Sequence, residues 1–130
     1  MIQALDKIQV ITLFVEDLPT VKAFYLRVFG LEVVFEDAVS AVLELPPLLL
    51  NLLQISEAPT LVEPTLVGSA RAGARAMLTI AVEDTNAVCA ELAKHDIALL
   101  NGPTDRSWGR RTAAFADPAG NVWEIAQELR

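Results

Sequence analysis

Glu124 sits inside an apolar run, "VWEIAQ", directly after the turn-forming "DPAGN". An ionised carboxylate is rarely taken out of water without a partner, because its desolvation costs several kcal/mol. The residue therefore faces a cation, a metal, a ligand or water at a sheet edge. As a lone anion in apolar surroundings it selects a cationic or hydrogen-bond-donating ligand, or serves as a general base where burial raises its pKa. The competing reading is a carboxylate hydrogen-bonded to Thr12, Thr79 or Asn51, or reached by water. A short way upstream, "SWGRR" supplies an indole, Trp108, and two adjacent guanidinium groups, Arg110 and Arg111. An indole stacks on planar ligands and an arginine clamps a carboxylate or phosphate. The structural alternatives are a core-closing role for Trp108 and an ion pair from Arg111 to Glu124 or Asp117. Adjacent residues on a strand face opposite ways, so only one of the two arginines shares a given face.

Other chemistries lack their parts. The chain has one histidine, His95, and one cysteine, Cys89. No Ser-His-Asp set can be assembled around them, and neither a phosphate-cradling glycine loop nor a pair of metal-binding histidines is present. His95 reads as a cation near a helix C-terminus, and Cys89 as helix packing. The single cysteine allows no internal disulfide and suits a reducing cytoplasm. A net charge of −7 and a pI of about 4.6 argue against nucleic acid as a partner. The start "MIQALDKIQV" lacks the pattern of a secretory signal, and the longest apolar run, residues 45–50, is far too short to span a bilayer. These observations lead us to expect a cytoplasmic protein with no membrane partner.

The elements that must position Glu124 are written twice. "VITLFVED" at residues 10–17 matches "MLTIAVED" at 77–84, an offset of 67 residues. Such a repeat decides the architecture before any single element does. Each copy is an alternating, β-branched strand that ends on an Asp suited to cap a helix, Asp17 and Asp84. After Asp17, Val21, Phe24, Tyr25 and Val28 share a helical face, and Gly30 stops the helix. After Asp84, Val88 and Leu92 repeat the pattern. Three strands are then expected in each half, at 32–35, 40–45 and 48–55, and at 97–100, 111–116 and 122–127. "NLLQ" at 51–54 overlays "EIAQ" at 124–127. Pro59, Pro64, Gly68 and Gly73 mark residues 56–75 as a linker, with a short helical turn around 63–67. The 130 residues thus read as a single domain with a first module at 5–55 and a second at 76–130. The fold class is α+β: two tandem βαβββ modules forming a curved mixed sheet around a cleft. On the first strands, Val10, Thr12 and Phe14 point away from Ile11, Leu13 and Val15. In the second copy Met77, Thr79 and Ala81 point away from Leu78, Ile80 and Val82. One set packs on the helix and the other lines a cleft or an inter-module core.

The doubled pattern, together with "ITLFVEDLPTVKAFYLRVFGLEVVFED" and "LLNGPTDRSWGRRTAAFADPAGNVWEI", resembles the vicinal oxygen chelate superfamily of glyoxalases, bleomycin-resistance proteins and extradiol dioxygenases. The likeness covers nearly the whole chain. The C-terminal "WGRR…F.DP.GN.WE" is most similar to bleomycin-resistance-like and uncharacterised glyoxalase-like members, and it favours Arg111 as the inward arginine. In metal-dependent members, the resemblance implies, the ligands stand at positions that map here onto Val10, Met77, Asn51 and Glu124. Val10 has no donor atom, and Met77 offers a thioether that hard or borderline divalent ions bind poorly. Asn51 is a weak neutral donor, so only Glu124 is a conventional ligand, whereas a catalytic zinc site takes three good protein ligands. Gln9 lies one residue out of step. No metal and no other cofactor are therefore expected. The resemblance implies a small-molecule binder of the kind that sequesters a drug, with Val10, Thr12, Phe14, Asn51, Leu53, Met77, Thr79, Trp108, Arg111 and Glu124 lining its cleft. Glu124 is the candidate catalytic group if a reaction occurs. The alternative is a metal-dependent lyase, isomerase or dioxygenase. Apolar residues make up 53% of the chain, and relatives of this kind are often dimers. A homodimer with its clefts near the interface is therefore expected.

Overall fold

The computed structural model describes all 130 residues and divides into two compact units, Met1–Val67 and Gly68–Arg130. The first unit runs β1 (Val10–Val15), α1 (Leu18–Phe24), β2 (Val33–Glu36), β3 (Ser40–Leu45) and β4 (Leu48–Gln54), then the short α2 (Ala58–Val62). The second runs β5 (Met77–Ala81), α3 (Thr85–Lys94), β6 (Asn101–Asp105), β7 (Arg110–Ala116) and β8 (Val122–Glu128). Each unit is a four-stranded mixed sheet with its first strand parallel to its last: the orders are β1-β4-β3-β2 and β5-β8-β7-β6.

Local chemistry explains the entry into each helix. The Asp17 carboxylate accepts the Thr20 N–H at 3.2 Å, and that of Asp84 accepts the Ala87 N–H at 3.0 Å. Each satisfies one of the donors that a helix start leaves open. A glutamine at or next to the end of each closing strand completes the job. Gln54 Oε1 accepts the Leu18 N–H at 3.3 Å, and Gln127 Oε1 accepts the Thr85 N–H at 2.9 Å. The paired "NLLQ" and "EIAQ" thus tie the last strand of each unit to the first turn of its helix. At the far end of α1 the chain widens into a π-helical turn, Tyr25–Phe29, and leaves through Gly30 in the left-handed region.

One face of each sheet packs on its helix. In the first unit Val21, Phe24 and Tyr25 are buried, as are Leu13, Val15, Leu43, Leu50 and Leu52 of the sheet. Burying a side chain of this size stabilises by about 1.5–3 kcal/mol. In the second unit Leu92 of α3 is buried with Ala113, Phe115, Trp123 and Ile125.

Two expected elements move. The strand expected at 97–100 forms instead at Asn101–Asp105. "IALL" has the apolar look of a strand, but Ile97 N–H still bonds back to Leu92 and Asp96 turns the chain at φ 58°. The true β6 is an edge strand, mostly exposed, and an edge has no need of alternating apolar residues. The helical turn expected around 63–67 is absent there. α2 lies earlier, with Pro59 in its first turn, and a single 3-10 turn follows at Ala70–Ala72. No helix is long and apolar enough to cross a membrane.

Candidate functional site

In the second unit the register places Glu124 beside Thr79 on β5 and Ala114 on β7. Paired residues share a face and alternate residues swap faces. Glu124 therefore lies on the face away from α3, with Met77 and Ala81 beside Thr79. Thr79 donates its hydroxyl to Glu124 Oε1 at 3.0 Å. No arginine, lysine or histidine pairs with Glu124. The carboxylate is thus half-buried, held by one neutral donor, and its Oε2 is left for another. Alongside it, Ala81 and Ala126 continue into a cleft of about 520 Å³ reaching Glu83 and Glu128.

The first unit repeats the arrangement with a neutral group. Thr12 stands opposite Asn51, and Asn51 Nδ2 donates to Thr12 Oγ1 at 3.3 Å. Val10 and Phe14 are paired with Leu49 and Leu53 on the same face; Leu53 is buried and Val10 exposed. Asn51 Oδ1 is buried with no hydrogen-bond partner. A buried acceptor without a partner costs about 1–3 kcal/mol. Asn51→Leu is accordingly expected to raise unfolding stability by about 1 kcal/mol, read as an increased urea midpoint. A lowered midpoint would show that the carboxamide is better satisfied than its neighbours indicate.

The arginine side is different from the expectation. Arg111 pairs in register with Gln127, which puts it on the α3 face, opposite to Glu124. Its guanidinium bonds Asp105 at 2.6 and 3.2 Å. That contact holds the Asp105 carboxyl below its ordinary pKa and raises that of Arg111. Arg111 is therefore not the inward arginine, and it pairs with neither Glu124 nor Asp117. Arg110 shares the Glu124 face but is tied to Glu128 at 3.2 Å. Trp108 does not close the core. It is 68% exposed in the β6–β7 turn, at the opposite end of β7 from Ala116. Asp117 is buried within the β7–β8 turn, where its carboxylate accepts the N–H groups of Ala119 and Asn121.

The arginine that sequence reasoning missed is Arg106. Its Nε donates to Thr112 Oγ1 at 2.9 Å and its Nη2 to Asn101 Oδ1 at 3.2 Å. Thr112 pairs with Ala126, and Asn101 with Ala114, so the guanidinium lies over the same face as Glu124. Only the position of β6 could have revealed it.

The four positions singled out by the superfamily resemblance do not make a ligand set. Val10 has no donor, Met77 presents a thioether, Asn51 offers one neutral amide oxygen, and Glu124 supplies one carboxylate. No group of three or more His, Cys, Asp or Glu side chains comes together. A divalent ion of the family type wants at least three nitrogen or oxygen donors, so these residues do not fit it.

Two tandem βαβββ units, each with its last strand inserted beside its first and a polar pair on the face away from its helix, define a glyoxalase-type fold. The family model of the Glyoxalase/Bleomycin resistance protein/Dioxygenase superfamily matches residues 7–125, and the chain belongs to that superfamily. Among solved structures it is similar to a glyoxalase/bleomycin resistance protein/dioxygenase from Nocardioides. The TM-score is 0.85 at 22% identity, covering 96% of this chain and 85% of that one. A lactoylglutathione lyase from Agrobacterium tumefaciens superposes with a TM-score of 0.75 at 22% identity, covering 93% and 92% of the two chains. A virulence protein from Salmonella typhimurium gives 0.75 at 27% identity, covering 99% and 100%. No curated protein matches the chain.

Proposed function

We propose that this protein binds a small organic molecule on the Glu124 face of its second unit, and that it does so without a metal ion. One observation carries this reading. Glu124 is held by Thr79 alone, with a free carboxylate oxygen, on a face it shares with Ala114 and Ala126. A carboxylate oxygen with no partner on the protein is open to a hydrogen-bond donor or cation on a ligand. The missing donors at Val10 and Met77 favour direct contact between ligand and side chain over contact through an ion. The lyase activity in the name of the Agrobacterium relative belongs to that protein, and at 22% identity it supports the shared fold only.

The test is a fragment screen by heteronuclear NMR on chelator-treated protein. Perturbed amides are expected to cluster at Thr79, Ala81, Ala114, Glu124 and Ala126, and Glu124→Ala is expected to remove the response. Hits confined to other surfaces, or none at all without added divalent ion, would sink the reading.

A further inference from the structure

The Glu124 face carries two opposite charges that nothing on the protein neutralises. Glu124 is braced by the neutral hydroxyl of Thr79, and Arg106 by the neutral oxygens of Thr112 and Asn101. Neither makes an ion pair. The remaining charged pair on this face, Arg110 with Glu128, is closed on itself at 3.2 Å. Asn101, Ala114 and Glu124 stand in line across β6, β7 and β8. Two strand spacings separate Asn101 from Glu124, about 9.5 Å. Ala114 and Ala126 share this face between the two groups.

Bracing by neutral partners matters chemically. A guanidinium fixed by a hydroxyl and an amide oxygen keeps its full charge and has donors left over, a pre-oriented anion receptor. A carboxylate fixed by a threonine hydroxyl is the counterpart for a cation. Had the fold needed these groups only for stability, pairing each with an opposite charge would have served, as Arg111 does with Asp105 and Arg110 with Glu128.

We propose that the ligand is zwitterionic: a small molecule whose ammonium meets Glu124 and whose carboxylate, or equivalent anion, meets Arg106, with its connecting carbons spanning β7. This rests on the reading of the Glu124 face as the binding surface and specifies what that surface selects. Singly charged analogues satisfy one end and leave the other solvated, so they bind more weakly.

The probes are the straight-chain ω-amino acids from glycine to 6-aminohexanoate, compared with hexylammonium and hexanoate, each titrated against isotope-labelled protein at neutral pH. One chain length is expected to bind at least tenfold more tightly than either singly charged compound, shifting the amides of Asn101, Ala114 and Glu124 together. Glu124→Gln is expected to reduce that amino acid to the level of hexanoate. Arg106→Gln is expected to reduce it to the level of hexylammonium, with Arg106→Lys restoring part of the loss, which a merely bracing role for Arg106 would not show. If hexylammonium or hexanoate binds this face as tightly as every amino acid, or if Glu124→Gln changes nothing, the zwitterion proposal falls while the binding face stands. If no probe perturbs this face and the fragment screen is also silent there, both fall together.

Discussion

Gly102→Ala is expected to destabilise the second unit by at least about 3 kcal/mol, the combined cost of overpacking and of a strained backbone angle. Gly102 lies at the irregularity in β6, between the pairs Asn101↔Ala114 and Thr104↔Thr112, at φ 90°. A Cβ there would sit 2.4 Å from the Thr112 carbonyl oxygen and 2.7 Å from the Ala113 Cα. Both are backbone atoms of β7, so no side chain can swing aside. Gly120 is the control. It has nearly the same angle, φ 86°, but a methyl group there would meet nothing within 4 Å. Gly120→Ala should cost only about 1 kcal/mol, the backbone part alone. Urea denaturation of the two variants separates the terms. Equal losses would show that close packing of β6 on β7 contributes nothing. Because Asn101 precedes Gly102 and braces Arg106, the same substitution should also displace the Arg106 guanidinium.

The second large effect is expected at Asp117. Its carboxylate is 4% exposed and accepts from Ala119 N–H at 2.9 Å, Asn121 N–H at 3.0 Å and Asn121 Nδ2 at 3.1 Å. Asp117→Ala strands three donors in a buried turn, for a loss of about 3 kcal/mol. Asp117→Asn keeps an acceptor for the backbone groups and should lose less. The consequence reaches the site, because this turn fixes the pairing of β7 with β8. A slip of one residue there would carry Glu124 to the opposite face. Denaturation midpoints together with the Thr79 and Glu124 amide shifts would register both effects. An Asp117→Ala protein as stable as the parent would show that the turn is held by other means.

Much of this architecture is legible in the sequence, for definite reasons. The repeat of "VITLFVED" in "MLTIAVED" reports two equivalent units, and Asp17 and Asp84 mark both helix starts because a capping carboxylate is a local requirement. Thr79 is one of three partners the sequence offers for Glu124, and the pairing of β5 with β8 selects it. Strand parity fails where the register is not local. Arg110 and Arg111 look interchangeable until β7 is paired with β8, and only that pairing assigns Arg111 to the helix side. Arg106 was invisible because it belongs to a polar edge strand and its hairpin, which carry no alternating pattern. Trp108 misleads for a related reason: an indole suggests a core, but a hairpin tip leaves it in solvent.

A Glu124 face that works without a metal ion has a direct signature in metal content and metal affinity. Untagged protein from medium supplemented with zinc, nickel, manganese and iron would be assayed by elemental mass spectrometry. The chelator-treated protein would then be titrated with each ion by calorimetry, alongside Glu124→Ala. Metal well below one ion per chain, and no saturable binding that depends on Glu124, are expected. One tightly held ion per chain, lost in Glu124→Ala, would contradict metal-free binding.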